Sequence, residues 1–230
     1  MVEAVARRGV LFDVGYTLMD ESTRIAAATK WLSHRLRQVG TEASAAELDR
    51  IYRTVCQHPR PGSLFGQLMQ RAGITPETAS SIGRDLPWDS VPLRPYPDAL
   101  DALKTLRDAG LKTGVLANQP ASARADLERS GLLALMDGVW LSQAVGLSKP
   151  DPEFFRLVLK AWGLEPGCVA YVGDRPDADV KPARALGLYT VRVLLGPHAD
   201  QKPRDPTEHP HVEAHTLAEA ARHLLAWADP

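Results

Sequence analysis

The feature that most constrains this chain is a repeated unit, in which an amphipathic helical stretch is followed within a few residues by an apolar run of strand length. From about Arg94 onward, "YPDALDALKTLRDAG" leads into "LKTGVLAN", "ASARADLERSG" into "GVWLS", "DPEFFRLVLKAWG" into "CVAYVG", and "DADVKPARALG" into "LYTVRVL". In the first unit Pro97 stands near the helix start and Gly110 just past its end, the asymmetry that helix termini favour. A helix between two strands carries the chain back to the same end of a sheet, so successive strands run parallel and helices cover both faces. The expected fold is therefore α/β, a doubly wound parallel sheet. It opens with the strand "VLF" before Asp13 and closes with the helix "HTLAEAARHLLAW", whose Thr216 and Glu219 have capping-box spacing.

Residues from about Asp20 to Val91 break this rhythm, because strand signals vanish and helical ones dominate. Ser44 and Glu47 form another capping-box spacing, and Thr75-Pro76-Glu77 is a favourable helix start. The reading is an all-helical domain inserted after the first strand. Residues 1–19 and 93–230 form the sheet domain and residues 20–92 the insertion, with Met19 to Ser22 and the proline-rich "PWDSVPLRPYP" as the linkers. "GPHADQKPRDPTEHP" reads as a polar surface loop.

Charge and cysteine usage remove several function classes. Across 230 residues, 27 Lys+Arg against 28 Asp+Glu leave no basic surplus for nucleic acid or an anionic membrane. The 2 cysteines, Cys56 and Cys168, have neither disulfide-framework nor zinc spacing, which fits a reduced, cytoplasmic setting. No apolar window approaches the roughly 18 residues of a spanning helix. No nucleic-acid or membrane partner is expected.

In an open parallel sheet, ligands bind beyond the carboxyl ends of the strands. There the sequence sets Asp13 after "VLF", Asn118 after "GVLA", Ser142 and then Lys149 after "VWL", and Asp174 after "AYVG". Each has a plain local explanation: Asp13 begins a turn, Lys149 is a loop lysine, and Asp174 caps a helix starting near Pro176. Two carboxylates and a lysine at one sheet edge are better explained together, as a site for a divalent cation and a phosphate.

In order and spacing these strings resemble the haloacid dehalogenase superfamily of hydrolases, mostly magnesium-dependent phosphatases with a Rossmann-like core. "FDVGYTL" is similar to its first motif, "VLAN" to the second, "LSKPDPEFF" to the third and "YVGDRPDADV" to the fourth. The helical insertion stands where one subfamily carries its C1-type α-helical cap. The resemblance implies that Asp13 is a nucleophile forming an aspartyl-phosphate, and that Asp13, the Gly15 carbonyl and Asp174 hold Mg²⁺, with Asp179 steadying that shell from outside. It implies further that Lys149 offsets negative charge and binds substrate, that Thr17 fixes the loop or donates to phosphate, and that Asn118 binds substrate. The implied partner is a small phosphorylated molecule, acted on by a monomer or homodimer.

Two positions depart from the family's phosphatase pattern. Gly15 stands where a second aspartate usually serves as general acid, and Ala117 where a Ser or Thr usually donates to the phosphoryl group. Three readings follow. The leading one is a phosphatase suited to leaving groups that need little protonation. A 2-haloacid dehalogenase also lacks the second aspartate, but the "GD" at Asp174 argues for a metal that such enzymes do not use. A binding or regulatory module with little catalysis is the third. A phosphonatase-type Schiff base ranks below these, since Lys30 stands too close to Asp13. Asp20 is evenly read as helix cap or pocket residue, and His34, Arg53, His58, Arg60 and Trp88 of the insertion, where the substrate would be chosen, read just as readily as surface or packing residues.

Overall fold

The computed structural model describes residues 8–60, 64–88 and 91–229, and the chain divides into two compact units. The first comprises Met1–Asp20, Arg94–Leu195 and Lys202–Pro230. Its centre is a six-stranded sheet of β1 (Gly9–Phe12), β4 (Lys112–Ala117), β5 (Gly138–Leu141), β6 (Val169–Gly173), β7 (Tyr189–Val193) and β8 (Val212–Ala214), in spatial order β5-β4-β1-β6-β7-β8. Every pairing in that sheet is parallel. Both neighbours of β1 are in register at its last residue, Phe12 lying beside Val115 and Val172. That register sets the residues following β1, β4 and β6 side by side.

The apolar pattern explains the burial. Val10, Leu11 and Phe12 have two covered faces and at most 1% exposure, so β1 reads as a continuous hydrophobic run rather than an alternating one. Helix α8 (Pro152–Trp162) starts at Asp151, whose carboxylate accepts the Glu153 N–H, and stops at Gly163 in the left-handed conformation. It buries Phe154, Phe155, Val158 and Leu159 against Leu11, Leu116, Val169 and Tyr171. Helix α10 (Leu217–Ala228) begins as its spacing implies, with the Thr216 hydroxyl accepting the Glu219 N–H at 3.0 Å, and packs on α5 (Ala99–Asp108).

Three features of this unit were not read from sequence. Met19–Asp20 (β2) and Arg94–Pro95 (β3), taken as linkers, form a two-stranded antiparallel ladder. The sixth strand, β8, is too short and too polar to signal itself; its pairing with β7 makes it a strand. "DADVKPARALG" is not one helix but a π-helical turn, Pro176–Val180, followed by α9 (Lys181–Ala185). The wider turn closes on the Arg175 carbonyl, which accepts from both Asp179 and Val180, and Pro182 sits in the first turn of α9, where a missing N–H is tolerated.

The second unit, Glu21–Leu93 with Gly196–Gln201, is helical throughout its described elements. It contains α1 (Ser22–Gln38), α2 (Ala45–Gln57), α3 (Leu64–Arg71) and α4 (Pro76–Asp85). The expected caps form: Ser44 accepts the Glu47 N–H at 3.2 Å and Thr75 the Thr78 N–H at 3.3 Å. Glu21, not Asp20, precedes α1 at its cap position. Residues 196–201 were assigned by sequence to the sheet domain and to an exposed loop, whereas here they belong with the helices. The Cys56 carbonyl lies in the last turn of α2 (Ala45–Gln57). His198 Nδ1 meets that carbonyl at 3.0 Å and Gln201 Oε1 at 3.1 Å. Both partners accept, so this nitrogen carries the proton, and His198 and Gln201 are buried. Cys56 and Cys168 are buried free thiols, and among the described residues no helix is long and apolar enough to cross a membrane.

One histidine makes the sheet edge sensitive to acid. Tyr189 stacks on His211 at 4.7 Å between ring centroids and on Trp227 at 5.3 Å. His211 Nδ1 accepts the Thr190 N–H at 3.0 Å, which requires an unprotonated nitrogen. Burial, then the positive charge of Arg184, holds this imidazole below its ordinary value. The unfolded chain thus takes up the proton more readily, and stability present above pH ~6.5 is lost as pH falls towards the folded-state value. The thermal midpoint should drop more between pH ~7.5 and ~5.5 in the wild type than in His211→Phe, which keeps a ring for the stack. Equal drops in the two proteins would refute this assignment.

Candidate active site

Four chain segments meet at the carboxyl edge of the sheet. Asp13 leaves β1 into a tight turn in which the Val14 carbonyl accepts the N–H groups of Thr17, Leu18 and Met19. The left-handed residue of this turn is Tyr16, with φ 52°; Gly15 lies outside that region. A non-glycine residue in that conformation is held there by its surroundings, a form of strain that concentrates at functional sites. Here the Tyr16 N–H donates to the Met19 carbonyl, and the side chain is buried.

Lys149 arrives from the loop after β5. Asn118, just beyond β4, grips its main chain from both sides: the carboxamide donates to the Lys149 carbonyl and accepts the Lys149 N–H, each at 2.8 Å. The ammonium then donates to Asp13 Oδ1 at 2.6 Å, Asp179 Oδ1 at 2.6 Å and the Tyr171 hydroxyl at 2.8 Å. Asp179 comes from the π-helical turn after β6, and its second oxygen accepts the Arg175 N–H at 2.9 Å. This close approach depends on Gly173, because a Cβ there would stand 2.5 Å from the Asp179 carboxyl carbon.

Asp174 completes the cluster. One oxygen each from Asp13, Asp174 and Asp179 lies within 4.8 Å of the others, and all three residues are buried. Among the described residues Asp174 Oδ2 is buried without a hydrogen-bond partner, and the helical turn that follows has Arg175, not Asp174, at its cap position. The Arg192 guanidinium, itself buried on β7, donates from Nε to the Asp174 backbone carbonyl at 3.2 Å.

The electrostatics follow from burying like charges together. Burial, with Asp179 adding to it and Lys149 opposing it, raises Asp13 to about 6. Asp174 is pushed well above the usual carboxylate range by burial and then by Asp179 and Asp13. Burial works against the charge on Lys149, but Asp13 and Asp179 outweigh it and hold the ammonium above its ordinary value. The Tyr171 phenol is raised by burial and by the same carboxylates, so at neutral pH it keeps its proton.

The structure thus gathers Asp13, Lys149 and Asp174, whose places after the strands suggested it, together with Asp179, which the family resemblance added. It treats the other sequence candidates differently. Thr17 is fully buried, and among the described residues its Oγ1 has no hydrogen-bond partner. Asn118 spends both ends of its carboxamide on the Lys149 main chain. Asp20 lies in the small antiparallel ladder. In the helical unit, His34 pairs with Gln38 at 3.1 Å and Arg53 with Asp49 at 2.9 Å. The Arg60 N–H is held by Gln67 at 2.7 Å. Sequence reasoning missed Tyr171, whose one available signal was a phenol in a strand otherwise of small and aliphatic residues. It also missed Arg175 and Arg192.

Residues 8–187 match the family model of haloacid dehalogenase-like hydrolases. The chain is 30% identical over 218 residues to a glyceraldehyde 3-phosphate phosphatase of Methanopyrus kandleri, covering 90% of this chain and 92% of that protein. It is 37% identical over 201 residues to a glyceraldehyde 3-phosphate phosphatase of Methanocaldococcus jannaschii, covering 85% and 88%. Among solved structures, that of a HAD phosphatase from Thermococcus onnurineus superposes with a TM-score of 0.67 over 94% of this chain and 97% of that one, at 24% identity, which speaks to the fold. The match over most of the chain, on an α/β sheet that brings the motif carboxylates and lysine to one edge, shows that this chain belongs to the haloacid dehalogenase-like hydrolases.

Proposed function

We propose that this chain is a magnesium-dependent phosphatase acting on a small phosphorylated metabolite through an aspartyl-phosphate on Asp13. The observation that carries the proposal is the orphaned Asp174 Oδ2, buried beside Asp13 and Asp179. A buried carboxylate oxygen with no donor is costly unless a cation reaches it. The Lys149 ammonium touches Asp13 and Asp179, and no contact joins it to Asp174. A hard divalent cation held by oxygen ligands suits this donor set. Asp13 and Asp174, with the Gly15 carbonyl, would hold Mg²⁺, and Asp179 would support them. When bound, the ion supplies electrostatic stabilisation of charge on the phosphoryl oxygens.

The protein groups divide the work as follows. A carboxylate oxygen of Asp13 attacks phosphorus, an O–P bond forms, and the bond to the leaving oxygen breaks with its electron pair going to that oxygen. Water then displaces the carboxylate and releases inorganic phosphate. Lys149 offsets the negative charge that Asp13 and the phosphoryl oxygens bring together. Gly15 offers no side chain to protonate the departing oxygen, so the reading favours leaving groups of low pKa. Glyceraldehyde 3-phosphate, the compound named for two relatives aligned over most of their length, is an alkyl phosphate and so tests that preference directly against an activated aryl phosphate. The sheet-containing unit supplies all of these residues, and the helical unit is proposed as the cap that selects substrate.

Magnesium should raise the thermal midpoint of the wild type by mass action. Asp174→Asn should abolish that increment while leaving the metal-free protein at least as stable, because a carboxylate raised by burial and like charge opposes folding at neutral pH. Magnesium affinity should also rise from pH ~5.5 to ~8, since the cation competes with protons on Asp13 and Asp174. Calorimetric titrations at the two pH values check this, and a flat or falling affinity would contradict the ligand assignment.

A second reading, 2-haloacid dehalogenase, is favoured by Gly15, because a departing halide needs no proton. The two readings separate on cation need. Hydrolysis of activated phosphates should stop with a chelator and with Asp13→Asn, and no chloride should leave 2-chloropropionate. Chelator-insensitive chloride release would reverse the order.

The left-handed residue of the turn is Tyr16, so Gly15→Asp should be tolerated by the backbone. The variant should gain rate on alkyl phosphates by up to about 10², and much less on aryl or acyl phosphates. Turnover plotted against leaving-group pKa should be shallower for the variant; parallel lines would show that another group already donates the proton.

A further inference from the structure

We propose that Tyr171 is a positioning residue that holds the Lys149 ammonium in place while the charge on Asp13 changes. The catalytic consequence rests on the phosphatase reading above; the placement itself rests on geometry alone. Tyr171 is 1% exposed on the central strand β6, with its ring edge-to-face on Phe155 at 5.2 Å. Its hydroxyl lies 2.8 Å from the Leu116 carbonyl, 2.8 Å from Lys149 Nζ and 3.4 Å from Asp179 Oδ1. A phenol has one proton, and the shorter contact to a good acceptor takes it, so the hydroxyl donates to Leu116 and accepts from Lys149.

An ammonium has three hydrogens, and here each has an acceptor: Asp13, Asp179 and Tyr171. Two of these acceptors are charged, and one of the two reacts. When Asp13 becomes an acyl phosphate, the oxygen facing Lys149 loses most of its charge, and a four-carbon lysine stem drifts readily towards whichever anion remains. Tyr171 is the acceptor that is neutral and unreactive, and it is tied to a backbone carbonyl of β4. It keeps the ammonium registered to the sheet through a step that would otherwise release it towards Asp179. Without the hydroxyl, one Lys149 hydrogen and the Leu116 carbonyl are both left unpaired in a buried site.

Tyr171→Phe removes the oxygen and keeps the ring. The first measurement needs neither metal nor substrate: in protein labelled with ¹⁵N-lysine, the Lys149 ammonium should exchange its protons with water slowly in the wild type and markedly faster in the variant. The second is steady-state turnover of p-nitrophenyl phosphate with magnesium, in which kcat should fall about tenfold with KM within about twofold, the loss expected for one hydrogen bond to a charged group. Rapid ammonium exchange in the wild type would overturn the proposal even if the variant failed to fold. So would unchanged exchange in a folded variant, whatever its kcat, because the hydroxyl would then act through packing alone. Faster exchange with unchanged kcat would overturn the catalytic role. If the wild type hydrolyses no phosphate ester, the phosphatase reading fails separately, and ammonium exchange still decides whether Tyr171 positions Lys149.

Discussion

One ammonium buried among two carboxylates and a phenol is the interaction on which this site depends. A lysine taken out of water loses its hydration, and a single contact does not restore it; breaking such a buried pair by removing one partner typically costs about 3–5 kcal/mol. Lys149 is only 6% exposed, and every hydrogen on its nitrogen is assigned. Much of the local architecture serves that arrangement. Asn118 clamps the lysine main chain from β4, Gly173 leaves room for Asp179 to approach, and the Arg175 N–H holds the far oxygen of Asp179.

The same cluster carries more negative charge than it neutralises. Asp13, Asp174 and Asp179 crowd together, and Lys149 touches two of them. The raised values of Asp13 and Asp174 are the thermodynamic expression of that crowding. A fold keeps such a site only when the rest of the domain over-stabilises it, here through a sheet whose inner strands are apolar on both faces and sealed by α8. The strained Tyr16 backbone one residue beyond Gly15 belongs to the same economy of rigid support around a reactive turn.

Much of this is legible in the sequence. The helix–strand alternation gave the sheet-forming part of the chain its class, and the residues after "VLF", "VWL" and "AYVG" named the members of the charged cluster. What escaped had weak local signals. The three residues of β8 become a strand only by pairing with β7. A π-helical turn stands where the pattern read as an ordinary helix, its Arg175 carbonyl accepting from both Asp179 and Val180. Residues 196–201 read as solvated loop, yet His198 meets the Cys56 carbonyl at the end of α2. Asn118 was read as facing a substrate, and its amide instead holds the chain that carries Lys149.

By itself the sequence determined that the chain alternates into a parallel sheet and that Asp13, Lys149 and Asp174 lie at its carboxyl edge, because hydrophobic periodicity and strand polarity are local properties; Asp179 came from the family resemblance. Only the tertiary structure decided how those groups share their hydrogens. The strand order β5-β4-β1-β6-β7-β8 sets β1 between β4 and β6. From that follows a geometry no local pattern encodes: a phenol on β6 reaching a carbonyl on β4, and an ammonium from the loop after β5 suspended among them. Hydrogen bonds between residues 22 to 136 positions apart depend on which strands are neighbours, and strand order is settled by packing the whole domain.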